Sequence, residues 1–222
     1  RGNLDLHLMY KALFELSADR ADFVSRLFSR PRPAGLTARS SASEIFAAIG
    51  AVTPTEASYT QNLSDIRNQL LGRHRLALLD GDLSAIDAIY RAFFTLGPTI
   101  RYSPFGSVGG TTQPTYAELM AATDEAGNAR GFLSTEAAFA VVKDLQSRNL
   151  IVPVVGDFAG PKAIRGIGRY LKDRGALVSA FYVSNVEEYL VPDDVWRDFC
   201  ANVATLPLDV TSTFIRSVRL DE

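Results

Sequence analysis

The sequence predicts an α/β fold in which a parallel or mixed sheet is flanked by helices. The main observation is a strand, loop, helix and strand that follow one another between Asn149 and Asn185. A second observation is the alternating, β-rich segment Ser212–Val218, which predicts a further strand. The third is a series of apolar residues at helical spacing through the rest of the chain. Together these patterns favour one sheet in the C-terminal part of the chain.

The central unit begins with Ile151–Val155, a short apolar run that is typical of a strand buried on both faces. Pro153 argues against a central position in the sheet, because proline has no N–H group to donate. Pro161 lies where a first helical residue is expected, and Gly175 lies where that helix should end. Val178–Val183 is rich in β-branched and aromatic residues, so we expect a second strand joined to the first by a right-handed crossover.

Helices are expected to form most of the remaining chain. Asn3 is the expected N-cap of a first helix, and the pattern leaves open whether residues 4–28 form one bent helix or two. Thr115 and Glu118 have the spacing of a capping box, which predicts a helix start. Other apolar stripes predict helices at 43–49 and 55–79, a helix that carries Ile86 to Phe94 and ends at Gly97-Pro98, a helix capped by Ser134, and one after Asp193. Residues 30–130 are therefore expected to be largely helical.

The composition excludes several kinds of site. One cysteine, Cys200, excludes an internal disulfide and a cysteine metal cluster within one chain. The two histidines, His7 and His74, are far apart in sequence, so no metal site is predicted. A formal net charge of -2 gives no general attraction to nucleic acid or to an anionic membrane. Since no apolar run approaches the length of a membrane span, we expect a cytoplasmic protein.

Polar side chains follow both predicted strands of the central unit. Asp157 comes just after the first strand, and Asn185 and Glu187 come just after the second. In open α/β sheets, ligands bind beyond the carboxyl ends of the strands, so these groups are expected on one rim. Lys162 and the free N–H groups at the helix start offer a place for an anion or a ligand carbonyl. The alternative is that Asp157 only caps the next helix.

The segment 99–112 also has functional potential, because it is rich in glycine and shows no helical or strand period. It lacks the Gly-Lys-Ser/Thr ending of a phosphate-binding P-loop, which excludes that motif. A flexible connector and a lid over the rim of the sheet both fit this composition.

The order of elements from residue 134 onward resembles the later part of a class I S-adenosylmethionine-dependent methyltransferase. Gly156-Asp157-Phe158 is similar to the element that lies near the adenine in that superfamily, and Phe181-Tyr-Val-Ser-Asn185 is similar to the motif near the transferred methyl group. Three strings look like an uncharacterised bacterial family of methyltransferase-like proteins: Asp19–Phe28, Val154–Ala163 and Phe181–Leu190.

The resemblance implies a Rossmann-like, methyltransferase-type sheet flanked by helices. It implies that Gly156, Asp157, Phe158 and Asn3 bind S-adenosylmethionine. It further implies that Asn185, with Tyr182 and Glu187, orients a methyl acceptor. Catalysis of an in-line displacement could then come mainly from positioning.

The sequence also departs from the methyltransferase pattern. It contains no glycine-rich loop after a first strand and no acidic residue after a second. Residues 1–222 are therefore expected to be a single methyltransferase-like domain that lacks its N-terminal cofactor-loop segment. The stretch 30–130 is expected to be a helical insertion that could cover the rim and select a substrate.

The leading functional hypothesis is a methyltransferase-like protein that acts on a small molecule or another unknown acceptor. The alternative is a binding or scaffold protein that kept the fold but not the chemistry, since a fold does not imply a function. A third possibility, an unrelated α/β enzyme with Asp157 as general base, ranks last because no histidine lies near either strand end.

Overall fold

The computed structural model describes residues 2–101 and 113–216. The chain divides into two compact units, residues 1–153 and residues 154–222. The predicted glycine-rich connector or lid at 99–112 lies almost entirely outside the described residues. In the described part of the chain, no helix is long and apolar enough to cross a membrane.

The described N-terminal unit is helical. Its α-helices are α1 (Gly2–Leu16), α2 (Arg20–Leu27), α3 (Ala42–Gly50), α4 (Glu56–Arg67), α5 (Asp80–Leu96), α6 (Tyr116–Ala121) and α7 (Glu136–Ser147). A π-helical turn, Asn68–Arg73, extends α4, and a 3₁₀ turn, Gly97–Thr99, ends α5.

The core of the N-terminal unit is built from the apolar faces of these helices. Phe14 on α1 stacks on Phe23 of α2, with ring centroids 4.6 Å apart, and on Phe139 of α7, at 5.3 Å. All three rings are buried. Aromatic contacts of this kind add to the free energy of burying the rings themselves. Residues 30–130 thus share a core with α1, α2 and α7.

Arg20 is a buried polar centre within this unit, with only 1% of its surface exposed. Its Nε donates to Glu136 Oε1 at 2.9 Å, and its Nη1 donates to the carbonyls of Leu133 and Ser134 at 2.7 and 2.8 Å. Its Nη2 donates to Ser40 O at 2.8 Å. Because burying an unpaired charge is very costly, this set of acceptors is what allows a guanidinium here.

A second buried charge, Glu15, joins α1 to the π-helical turn. Its side chain is 2% exposed and accepts hydrogen bonds from Lys11 Nζ at 2.6 Å, His74 Nε2 at 2.7 Å, and Gln69 Nε2. Burial alone would raise the pKa of Glu15, but the hydrogen bonds from Lys11, His74 and Gln69 lower it below its usual value. The carboxylate form of Glu15 is therefore favoured.

The C-terminal unit is a small α/β structure. Its elements are α8 (Ala163–Lys172), β1 (Ala180–Val183), α9 (Glu187–Leu190), α10 (Trp196–Val203) and β2 (Thr213–Arg216). The two strands pair in parallel, with Phe181 opposite Phe214 and Tyr182 opposite Ile215. A small core forms between α8, β1, α9 and α10, with buried side chains Ile164, Val183, Leu190, Phe199 and Leu206.

The predicted Rossmann-like α/β sheet is wrong. The described residues contain one sheet of two parallel strands, and the rest of the regular structure is almost entirely helical. Two of the three predicted strands form as β1 and β2, but Ile151–Val155 forms no strand. Val152, Val154 and Val155 are more than half exposed. Pro153 cannot donate to a ladder, and an apolar run without a paired neighbour is not a strand. The predicted βαβ unit is therefore absent from the described residues.

Several local predictions also needed correction. The first helix begins at Gly2, so Asn3 lies in its first turn rather than at an N-cap, and Asp19 separates two helices by capping α2. The helix predicted from the apolar stripe that starts at Ile86 begins earlier, at Asp80. The capping box of Thr115 and Glu118 is confirmed, with both reciprocal hydrogen bonds formed.

Candidate functional site

The predicted cofactor loop, residues 156–160, is held in part by its own hydrogen bonds. Asp157 Oδ1 accepts from the N–H of Ala159 at 2.9 Å, and Asp157 O accepts from the N–H of Gly160 at 3.2 Å. Gly156 is required by close packing, since a Cβ at this position would overlap the Cβ of Ala163. The carboxylate of Asp157 thus shapes a tight turn and does not cap α8, whose N-cap residue is Lys162.

Asn202 fastens this loop to α10. It is 1% exposed, and its Nδ2 donates to the carbonyls of Phe158 at 3.0 Å and Gly160 at 2.9 Å. Its Oδ1 accepts from Arg165 Nε at 2.6 Å, which also ties α8 to α10. The ring of Phe158 lies edge-on to Phe199, with centroids 6.2 Å apart. The loop is therefore a braced element of the fold.

Sequence analysis missed Asn202. The available signal was its position three residues after Phe199, on the side of α10 that the apolar residues occupy. An amide on a buried helix face needs partners for both its N–H₂ group and its oxygen, so such a residue points to a braced neighbouring segment.

The predicted acceptor-orienting residues lie on and just after β1. Tyr182 is 68% exposed on the strand itself, and Asn185 follows the end of β1. Glu187 forms a bidentate ion pair with Arg216 at the end of β2, with both N–O distances 2.5 Å. These hydrogen bonds lower the pKa of Glu187 and keep it ionised. Glu187 is thus an ion-pair partner that links the ends of the parallel strands.

The structure brings only some of the predicted site residues together. Asn185 and Glu187 share the carboxyl end of the two-stranded sheet with Arg216. Gly156, Asp157 and Phe158 form one loop, but their partners are Ala163, Ala159, Asn202 and Phe199, and no described hydrogen bond joins them to Tyr182, Asn185 or Glu187. Asn3 belongs to the N-terminal unit.

A pocket of about 360 Å³ lies instead along α8. Its lining residues are Pro161, Arg165, Arg169, Lys172 and Thr205. Three of these are basic and follow one another at i, i+4 and i+7, so they lie on one face of the helix. Gly168, on the buried side of α8, allows the helix to approach the segment after α10, since a Cβ there would lie 2.9 Å from Thr205 O.

The charges that line this pocket are weakly compensated. Arg165 uses its Nε to bind the neutral amide of Asn202. Within residues 2–101 and 113–216, neither Arg169 nor Lys172 forms a side-chain hydrogen bond or an ion pair, and the pocket lining contains no acidic residue. Thr205 donates its hydroxyl hydrogen to Asn202 O at 2.7 Å, so it contributes a wall of the pocket and an acceptor oxygen.

The described residues contain no group of three histidine, cysteine, aspartate or glutamate side chains that could hold a metal ion. The pocket along α8 is cationic and contains none of the anionic ligands that metals prefer. Its chemistry is that of a receptor for a negatively charged molecule.

Comparison with known protein families gives one match. Residues 107–222 match the model of a family described as Domain of unknown function (DUF7790). The match includes the whole C-terminal unit and covers more than half of the chain. No curated protein matches the sequence. The chain therefore belongs to the DUF7790 family.

Proposed function

We propose that this protein binds a small anionic molecule through its C-terminal unit and does not itself catalyse a reaction on it. The observation that carries the proposal is the pocket along α8, which Arg165, Arg169 and Lys172 line without an acidic residue beside them in the lining. The volume of about 360 Å³ lies at the lower end of the range for small-molecule sites, and the pocket is open to solvent, since Arg165, Arg169 and Lys172 are exposed. Concave sites with a few convergent polar groups are the usual places for ligand binding.

The surroundings of the pocket support binding rather than catalysis. None of its lining residues is a carboxylate, histidine, cysteine or tyrosine, which are the groups that usually transfer protons or attack a substrate. Thr205 is the one hydroxyl in the lining, and its hydrogen is already donated to a backbone carbonyl. The one amine in the lining, Lys172, is exposed, and a bound ligand would have no carboxylate, imidazole or thiol beside it.

The proposal is tested by following the thermal unfolding of the full chain in the presence of small molecules of different charge. Trp196, the single tryptophan, lies in the C-terminal unit and reports on it through its fluorescence. A ligand that binds only the folded state raises the melting temperature. We expect a rise with some anions but with no neutral or cationic compound. The double variant Arg169→Gln/Lys172→Gln should abolish the rise.

A different result would contradict this function. If no anion raises the melting temperature of the wild-type protein, or if the double variant responds as the wild type does, the pocket along α8 is not a ligand site. The substitutions replace exposed side chains, so their own effect on stability is expected to stay within about 0.5 kcal/mol.

The second candidate function is S-adenosylmethionine-dependent methyl transfer to an unknown acceptor. Only the sequence strings around Gly156-Asp157-Phe158 and Tyr182–Glu187 favour it. This candidate predicts saturable calorimetric binding of S-adenosylhomocysteine that Asp157→Ala weakens. Asn185→Ala should leave that binding intact and reduce transfer of a labelled methyl group. Absence of binding to the wild-type chain would remove this candidate.

A further inference from the structure

We infer that the natural ligand of the pocket along α8 carries two linked phosphate groups, as in a diphosphate ester. This inference rests on the proposed function and specifies the ligand class of the same pocket. It depends on the type, number and spacing of the cationic side chains.

The type of cation favours phosphate. Two of the three basic lining residues, Arg165 and Arg169, are arginines. A guanidinium presents a planar fork of N–H donors that matches two oxygens of a phosphate or a carboxylate. Arg165 is already oriented, because its Nε is fixed on Asn202 Oδ1 at 2.6 Å, which leaves its terminal nitrogens as donors. Orientation before binding reduces the entropy lost when a ligand is bound.

The number and spacing of the cations favour two phosphates over one. The helical rise places Arg169 about 6 Å beyond Arg165, and Lys172 about 4.5 Å further along the axis. A single phosphate can satisfy one fork and one neighbouring ammonium only if the outer side chains bend strongly toward it. Two linked phosphates span more of the distance between these three basic residues, so the side chains need to bend less. The negative charge of two phosphates also offsets all three cations.

The helix dipole alone does not explain why three basic residues line one face of α8. Basic residues in the last turn of a helix interact favourably with its negative end, and Arg169 and Lys172 both lie in that turn. An interaction with the helix end, however, does not require these side chains to line a pocket. Arg174, just beyond the same helix end, has a different environment, since its guanidinium lies over the ring of Tyr170 at 3.6 Å and outside the pocket lining. Substitution of Arg174 therefore provides a control that removes the same charge at a position outside the pocket.

The inference is tested by calorimetric titration of the full chain with inorganic pyrophosphate, orthophosphate, citrate and a single-stranded oligonucleotide at physiological ionic strength. Pyrophosphate should bind saturably, and at least about tenfold more tightly than orthophosphate or citrate. Arg169→Gln and Lys172→Gln should each weaken pyrophosphate binding by about tenfold. Arg174→Gln removes the same charge and should change the affinity by less than about twofold.

Four outcomes would overturn the inference. Citrate binding in the absence of pyrophosphate binding would replace the phosphate class by carboxylates and would leave the proposed function standing. An equal loss with Arg174→Gln would mean that pyrophosphate senses only the general charge of the helix. Tighter binding of a single-stranded oligonucleotide than of pyrophosphate, lost in the same variants, would indicate a nucleic-acid surface. If no anion binds at all, the proposed function fails together with the inference.

Discussion

At the scale of single residues, the fold depends on a few buried polar side chains with many partners. Arg20 connects α2 to two distant loops, and Asn202 connects the loop 158–160 to α8 and α10. Each satisfies several groups that would otherwise be left without a partner, and an unsatisfied buried group costs far more free energy than a typical hydrogen bond contributes. Such residues are structural even though their chemistry resembles that of a functional site.

Asn202→Ala should destabilise the C-terminal unit by about 2 kcal/mol, because it removes three hydrogen bonds and leaves the Phe158 and Gly160 carbonyls without their amide donor. The measurement is urea unfolding followed by the fluorescence of Trp196. The control is Asn185→Ala, since Asn185 is exposed and its side chain has, among the described residues, only a 3.4 Å hydrogen bond with Ser184 Oγ. It should change the free energy of unfolding by less than about 0.5 kcal/mol. Equal effects of the two substitutions would contradict a bracing role for Asn202.

The same scale shows why some residues could not be assigned from the sequence. Two of the acceptors of Arg20, the carbonyls of Leu133 and Ser134, are more than one hundred residues away, and no local pattern encodes that distance. The capping box of Thr115 and Glu118 was predictable because both partners lie within one turn. Glu187 was predicted as a site residue from its position just after a strand, and its ion pair with Arg216, 29 positions further along the chain, has no local sequence signal.

At the scale of elements, α8 is positioned by glycines with different surroundings. Gly168 is buried against Thr205, and its missing side chain brings α8 close to the segment after α10. A Cβ at Gly166 would meet open space. The sequence alone does not distinguish these two glycines. In the structure, close packing requires a glycine at 168, whereas position 166 has room for a side chain.

Substituting alanine at these two glycines should therefore have opposite effects. Gly166→Ala should stabilise the C-terminal unit by about 0.5–1 kcal/mol, since alanine loses less conformational entropy in a helix. Gly168→Ala should destabilise it by about 1–3 kcal/mol, because the new Cβ would lie 2.9 Å from Thr205 O. The measurement is the thermal unfolding of both variants, followed by the fluorescence of Trp196. Stabilisation by both substitutions would show that α8 does not need its close approach to Thr205.

The strands show the limit of sequence patterns at this scale. Val178–Val183 and Ser212–Val218 were predicted as strands, and residues 180–183 and 213–216 pair as β1 and β2. Ile151–Val155 is more uniformly apolar than either, yet it remains unpaired. Apolar and β-branched composition favours an extended backbone, but a strand also needs a neighbour and free N–H groups, and Pro153 lacks one. The composition of a segment does not show whether a neighbouring strand and free N–H groups are present.

At the scale of the whole molecule, the two units differ strongly in the amount of apolar surface they bury. Among the described residues, more than twenty buried apolar side chains form the core of residues 1–153. Five form the core of residues 154–222. Hydrophobic burial is the main favourable term in folding, and a short unit with a small core retains little net stability. The sequence did not reveal this division, because the helical and α/β parts have similar overall composition.

This difference predicts that the C-terminal unit unfolds first when the full chain is heated. Trp196, packed against Phe199 at 5.2 Å, reports on that unit, while most of the helical circular dichroism comes from α1 to α7 in the N-terminal unit. The fluorescence transition should therefore come at a lower temperature than the main loss of helical signal. Pyrophosphate, if it occupies the pocket along α8, should raise the fluorescence midpoint and leave the circular dichroism midpoint nearly unchanged, because a ligand stabilises the unit that holds it. Coincident transitions that shift together would mean that the two units fold as one cooperative structure, with the small core stabilised by the larger unit.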